Sequence, residues 1–270
     1  MDDALEARIA LGKTLVREQV EYFSAQFGNV ASEWKHDGSR VTEADIHLSL
    51  VFADAIGEAF QKDQFFSEEL DHGQKSIPAT STYAWLLDPI DGTNNFARRI
   101  PTCSISLALL KDGNPVYGFI WDHASRKLIH GGSGAGLWLD DKKVERTDAP
   151  LNGQSLICVQ GQGHEEAIAD ENALQRTFKL RGFGSSALHM AYAALGWTDG
   201  VIAHRVKSWD IAAGMALLSA VGGCTRFFDT EVFPIRSFNS KAEGFGHIAG
   251  TVEMCDRIEK ATGRTCRYTF

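Results

Sequence analysis

Apolar residues at Leu5, Ile9, Val16, Val20, Phe23 and Phe27 are separated by 4, 7, 4, 3 and 4 positions. That repeat marks one face of a helix, so a helix is expected over 4–27, stopped by Gly28. A second helix is expected over 43–60, with Thr42 placed to cap it and Asp45 at its third position. Phe65-Phe66 followed by Ser67-Glu68-Glu69 predicts a short strand ending in acids, and the polar stretch 71–82 a mobile connection. Ala84 to Leu87 is apolar throughout, as a strand covered on both faces requires. Pro89 cannot donate to a ladder, so the chain is expected to leave the sheet there. Asp88 and Asp91 are then placed at a strand's carboxyl end, in a tight turn. Residues 104–110 and 115–121 read as a hairpin turned by Lys111-Asp112-Gly113-Asn114. Strands are expected again at 127–130 and 136–139, with the glycine-rich 131–136 joining them.

Pro150-Leu151-Asn152-Gly153 reads as a crossing between two regions, 1–150 (helices, then a largely antiparallel sheet) and 151–270 (an α/β pattern). Beyond it the pattern predicts a strand at 155–160, a helix at 165–178, and a helix from Ala187 to Leu195 closed by Gly196. A strand at 200–203, a basic loop at 204–208 and a helix from Trp209 to Val221 follow, with Gly222-Gly223 as its stop. Strands at 225–228 and 247–249 and a terminal helix from Thr251 complete the chain.

The 270 residues suffice for one large domain or two tightly joined ones. A net charge of -8 argues against general nucleic-acid binding, which needs a basic face. Met1-Asp2-Asp3 starts acidic and no apolar h-region follows, so no signal peptide is expected. No stretch reaches ~18 uninterrupted apolar residues, so no membrane span is expected. Cys103, Cys158, Cys224, Cys255 and Cys266 are widely spaced and include no Cys-x-x-Cys. They read as reduced thiols of a cytoplasmic protein, and any metal is expected on carboxylates.

The stretch Trp85-Leu86-Leu87-Asp88-Pro89-Ile90-Asp91-Gly92-Thr93-Asn94-Asn95-Phe96 combines carboxylates for a hard cation with amides of a helix start for an anion. Asp-Pro-x-Asp-Gly alone is also an ordinary turn. The full stretch, however, resembles the signature of the inositol monophosphatase family, metal-dependent and lithium-sensitive phosphomonoesterases. Three further segments resemble the family in the same order. They are Lys35-His36-Asp37-Gly38-Ser39-Arg40-Val41-Thr42-Glu43-Ala44-Asp45, then Ser67-Glu68-Glu69 (with Ser where the family has Gly), then Trp209-Asp210-Ile211-Ala212-Ala213-Gly214 with Gly222-Gly223.

The resemblance implies a layered α-β-α-β-α sandwich of the inositol monophosphatase and fructose-1,6-bisphosphatase type, with the site between two halves, and a homodimer. It implies two or three Mg²⁺ ions on Glu68, Asp88, the Ile90 carbonyl, Asp91 and Asp210. Asp45, Thr93 and Glu69, the last behind Glu68, would support the attacking water. Substrate contacts are implied at Asp91, Gly92, Thr93, Asn94, Gly184, Ser185, Ser186 and Asp210. Inositol monophosphatases proper carry a Glu about seven residues before the Asp of Trp-Asp; Ala203 stands there. The basic run His204-Arg205-Val206-Lys207 nearby makes Arg205 a candidate for a second anionic group. The expected activity is hydrolysis of a small phosphate ester of the inositol 1-phosphate kind. 3′-Phosphoadenosine 5′-phosphate and fructose 1,6-bisphosphate are alternatives, and histidinol phosphate is a less favoured one. A non-catalytic binding or regulatory protein is the alternative of another class, but every expected metal carboxylate is present.

Overall fold

The structure is a computed structural model. It describes all residues except 1, 31, 35–39, 71–75, 148–149 and 162, together with the backbone but not the side chains of residues 32 and 34. The segment 35–39 and residues 71–75 of the connection after Glu69 therefore lie outside the described residues.

In chain order, α1 (Asp3–Gln26) is followed by β1 (Ser32–Trp34), β2 (Arg40–Thr42), α2 (Glu43–Ala59), β3 (Gln64–Ser67) and β4 (Ile77–Pro78). Next come β5 (Tyr83–Asp91), α3 (Thr93–Ala97), β6 (Ser104–Lys111), β7 (Asn114–Asp122), β8 (Lys127–Gly132), β9 (Gly136–Leu139) and β10 (Lys142–Val144). Then follow β11 (Leu156–Gln160), α4 (Glu165–Leu174), β12 (Lys179–Arg181), α5 (Ser186–Leu195), β13 (Gly200–Val206) and α6 (Ser208–Ser219). The chain closes with β14 (Cys224–Phe227), β15 (Ser237–Phe238), β16 (Phe245–Gly250), α7 (Val252–Thr262) and β17 (Tyr268–Thr269).

Two large sheets result. The first has seven strands in the order β10-β9-β8-β7-β6-β5-β3, antiparallel except where β3 pairs with β5. The second has six, in the order β12-β11-β13-β16-β14-β17, with a parallel core of β12, β11 and β13.

Strand alternation sorts side chains between the layers. Trp85 and Leu87 of β5 and Ile105, Leu107 and Leu109 of β6 pack with α1 and α2 on the outer face of the first sheet. Leu86, Ala108 and Leu110 point the other way, onto α5 and α6, which meet Val201, Ala203 and Ala249 of the second sheet on their far side. Ile157, Ile202 and Ile248 face outward again, onto α4 and α7. The layers therefore run helix, sheet, helix, sheet, helix, as the resemblance implies. The middle layer explains the composition of α5, whose ten residues are all buried. A helix between two sheets has no wet face, so it is apolar all round and rich in Ala.

Four expectations need correction. The chain does not leave the sheet at Pro89: β5 runs to Asp91 and is wholly buried, with its register against β6 shifting between Asp88 and Asp91. The bulge accommodates the missing N–H of Pro89 where a regular ladder would not. Nor is 204–208 a loop. Strand β13 continues through His204, Arg205 and Val206, again across a register shift, with Arg205 at φ 55°. Helix α4 ends at Leu174 rather than 178; Phe178 is buried just before β12. Within 71–82, Ile77–Pro78 pairs with Ser237–Phe238, a two-residue bridge too short to leave any periodicity in the sequence.

Candidate metal and phosphate site

Three carboxylates from distant parts of the chain converge between the sheets. Asp88 and Asp91 sit on the bulged end of β5, and Asp210 in the first turn of α6. One ligand atom from each lies within 4.8 Å of the others. Both β5 carboxylates are buried. Burial pushes the Asp88 carboxyl well above its ordinary range, and the charges of Glu68, Asp91, Asp210 and Asp45 push it further. Asp210 is raised for the same reasons, burial first and then Asp91 and Glu68. Asp91 is pushed up to about 6, chiefly by burial, against hydrogen bonds that pull it down.

Each acid is held by local structure. Lys207 caps α6, and its amide donates to Asp210 Oδ2 at 2.7 Å. The Ile90 amide donates to Asp88 Oδ1 at 3.1 Å, an Asx turn inside the bulge. Asp91 is held from the other half: the Ser185 hydroxyl and the Ala187 amide, at 2.7 Å, both donate to its Oδ2. Those donors belong to the amino end of α5, where Ser185 is the cap and also accepts from the Leu188 amide at 3.2 Å.

Asp45 forms the expected capping box. It is buried, and its Oδ2 accepts from the Thr42 amide at 2.7 Å and the Thr42 hydroxyl at 2.6 Å. Behind it the Ser49 hydroxyl reaches the Asp45 carbonyl at 2.9 Å and meets the Ser67 hydroxyl at 2.8 Å. Ser67, in the family's Gly position, is thus fully buried and tied to α2. Glu68 and Glu69 follow in the turn after β3, both partly buried, and the Glu68 amide donates to the Leu87 carbonyl at 3.2 Å.

The helix start after the acids is held by glycine geometry. Gly92 has φ 87°, and a Cβ there would stand 2.9 Å from the Gly184 carbonyl oxygen. Asn95 stitches the two halves: its Nδ2 donates to the Thr102 carbonyl at 2.8 Å and the Phe183 carbonyl at 2.7 Å. The sequence points to Asn95 only as an amide of the helix start and gives its side chain no role; only its position inside the signature could have signalled one. Thr93 Oγ1 donates to the Ile90 carbonyl at 2.9 Å. Asn94 is exposed. The Ser186 hydroxyl donates to Gln160 Oε1 at 2.8 Å, which engages it away from Asp91.

Arg205 stands apart from these groups. With His164, Glu165, His204, Phe228 and Phe245 it lines a cavity of about 440 Å³ on the second sheet. His204, expected to be part of a basic loop, is buried, with Nε2 3.0 Å from Asp170 Oδ2. Lys207 Nζ donates to the Ala242 carbonyl.

An all-oxygen set of clustered carboxylates, two of them buried, fits a hard divalent cation: opposite charge relieves the repulsion that holds their protons on. Thiols and imidazoles do not join Asp88, Asp91 and Asp210 in any metal-sized group among the described residues.

The five-layered α/β fold thus encloses a carboxylate cluster suited to a divalent cation. The model of the inositol monophosphatase family matches residues 1–253, and the chain belongs to that family. It is 30% identical over 217 residues to inositol-1-monophosphatase of Bacillus subtilis, covering 78% of this chain and 81% of that one. It is 28% identical over 226 residues to fructose-1,6-bisphosphatase/inositol-1-monophosphatase of Thermotoga maritima, covering 82% and 85%. Among solved structures, the extragenic suppressor protein suhB of Bartonella henselae shares the fold at a TM-score of 0.82 and 24% identity, covering 95% of this chain and 98% of that one. A structure of the same fold, an IMPase/NADP phosphatase at a TM-score of 0.81 and 20% identity, covering 98% of this chain and 100% of that one, is complexed with Mg²⁺ and phosphate. No helix among the described residues is long and apolar enough to cross a membrane.

Proposed function

We propose that this protein is a Mg²⁺-dependent phosphomonoesterase that hydrolyses a small phosphorylated polyol of the inositol 1-phosphate kind. One observation carries the reading: Asp88, Asp91 and Asp210 within 4.8 Å of one another, the first two buried and Asp210 partly so. Glu68, the Ile90 carbonyl and these three acids would hold two or three ions. When bound, Mg²⁺ would supply Lewis-acid polarisation of the phosphoryl oxygens and a lowered pKa for water. The chain does the rest. Asp45 and Thr93 orient the attacking water, with Glu69 supporting from behind Glu68. Amides at Gly92, Thr93 and Asn94 donate to the phosphate oxygens. Gly184, Ser185 and Ser186 border the leaving group. The reading also expects lithium inhibition, a homodimer and a cytoplasmic location.

Phosphate release from inositol 1-phosphate, glycerol 2-phosphate, histidinol phosphate, fructose 1,6-bisphosphate, 3′-phosphoadenosine 5′-phosphate and AMP tests it. Release with Mg²⁺ that stops with EDTA supports the proposal. No release from any member overturns it and favours a non-catalytic binding role.

A second reading is a bisphosphate substrate, with Arg205, five residues before Asp210 in the chain, as the group that would meet the second anion. It also draws on the bisphosphatase name of the Thermotoga maritima relative. Arg205→Ala should then weaken turnover of bisphosphates more than of monophosphates. Equal effects would remove that reading.

A further inference from the structure

Away from the carboxylates, the fold brings two thiols into contact. Cys224 is the first residue of β14, Cys255 lies on α7, and their Sγ atoms are 3.7 Å apart across 31 residues of sequence. Cys255 is buried, whereas Cys224 is partly open to solvent. Cys266, in the terminal segment, packs against the same outer cluster. The sequence spacing gave no hint of the pair, because α7 reaches β14 only through the antiparallel return of β16.

The two sulfurs are not equivalent. The hydrogen bond with Cys255 pulls the Cys224 thiol down to about 7, against burial, and the Arg226 guanidinium lowers it further. Cys255 moves up, first through that hydrogen bond and then by burial. Arg226 is itself fixed by Asp256 at 2.8 Å and Glu259 at 2.5 Å. The pair thus has an accessible nucleophile, a buried proton-bearing partner and a fixed cation.

We propose that Cys224 and Cys255 are a peroxide-responsive dithiol that closes to a disulfide tying α7 to β14. The Cys224 thiolate attacks one oxygen of hydrogen peroxide. The O–O bond breaks, hydroxide leaves and takes up a proton as water, and Cys224 becomes a sulfenic acid. The Cys255 sulfur then attacks the Cys224 sulfur. The S–O bond breaks, the Cys255 proton goes to the departing hydroxyl, and a second water leaves. Both sulfurs are oxidised, both peroxide oxygens are reduced, and a dithiol reductant reverses the change by exchange. The closed bond constrains the unfolded chain and so raises the melting temperature.

The test treats the full-length folded protein with hydrogen peroxide, blocks remaining thiols with an alkylating agent, and maps the peptides by mass spectrometry. Two of the five free thiols should disappear, with a Cys224–Cys255 linked peptide that dithiothreitol removes, and the oxidised protein should melt higher. In Cys255→Ala, Cys224 should instead be trapped as a sulfenic acid by dimedone. Preferential oxidation of Cys103 or Cys158, linkage of Cys224 to Cys266, or five thiols still alkylated would each overturn the proposal. The mapping is done on the unsubstituted protein, so it stands even where a variant folds poorly.

Discussion

Asp91 Oδ2 accepts the Ala187 amide at 2.7 Å, so an acid on the first sheet is held by the amino end of a helix that lies between the two sheets. The neighbouring Ser185 hydroxyl donates to the same oxygen. The lone pairs left on Asp91 are therefore aimed by α5, and the closeness of the two sheets sets the geometry of the carboxylate cluster. Ser185→Ala removes one donor from a buried charge. Because such supporting bonds orient a metal ligand, Mg²⁺ affinity should fall roughly 10–100-fold. Titration calorimetry with circular dichroism as the fold control measures it. Unchanged affinity would show that Ala187 alone positions the carboxylate.

Asp88→Asn should cut turnover by at least ~10²-fold with the fold intact, since it removes a charged metal ligand. The metal-free variant should be no less stable than the parent. Burial and the charges of Glu68, Asp91, Asp210 and Asp45 already disfavour the Asp88 anion, and a neutral amide escapes that repulsion. Phosphate release and apo-protein melting give the two readouts. Turnover at the parent's level would remove Asp88 from the site.

Metal and proton should compete for the same cluster. The raised carboxyl groups of Asp88, Asp91 and Asp210 hold protons in the folded, metal-free protein that the unfolded chain has already lost. Their contribution to metal-free stability is therefore full below about pH 4 and lost as pH rises through about 6, the value for Asp91. A cation that needs the anions reverses this trend. The rise in melting temperature on adding Mg²⁺ should be small at pH 5 and grow above pH 6, and EDTA should abolish it. An equal rise at both pH values would mean that the ion binds elsewhere.

Gly92→Ala probes the junction from the backbone side. The residue stands at φ 87°, where an L side chain is strained, and its Cβ would approach the Gly184 carbonyl oxygen to 2.9 Å and that of Thr102 to 3.1 Å. Neither neighbour is a flexible side chain, so the strands or α3 must shift. A loss of about 1–3 kcal/mol in urea unfolding is expected. A loss below ~0.5 kcal/mol would show that the junction yields.

What was legible in the sequence depended on whether the signal was local. The acids on β5 and α6 stand in long motifs, and the capping box of Thr42 and Asp45 spans three residues, so both could be read directly. The Asn95 bond to Phe183 spans 88 residues and the Ser185 bond to Asp91 spans 94, and no local periodicity records either. Pro89 and Arg205 misled for one shared reason: each lies in a bulged strand, where the rule that breaks a regular ladder does not apply. His204 read as a solvated base because adjacent charges usually are solvated, yet strand alternation turns it inward onto Asp170 while Arg205 stays exposed.

His247 supplies a pH dependence independent of any metal. It lies on β16, fully buried against Phe227, and neither ring nitrogen has a hydrogen-bond partner among the described residues. Burial lowers it to about 3, with the nearby His204 and His189 adding to the effect. His189 is lowered to about 4 by burial, and its Nε2 accepts the Phe183 amide at 3.0 Å. The sign follows from linkage. Both imidazoles are neutral in the folded protein, whereas the unfolded chain protonates them below about 6.5. Their stabilising contribution is full above pH 6.5 and declines as pH falls toward 4, by up to ~1.4 kcal/mol per pH unit for each ring. This slope opposes that of the raised carboxyls, so the stability of the metal-free protein alone cannot separate them. His247→Leu does, because it removes one ring, two polar atoms without protein partners, and no carboxylate. Urea midpoints at pH 7.5 and pH 5 should show a smaller drop in the variant than in the parent. An identical drop in both would mean that His247 stays neutral in the unfolded chain or is already protonated in the fold, and either result would contradict the burial argument.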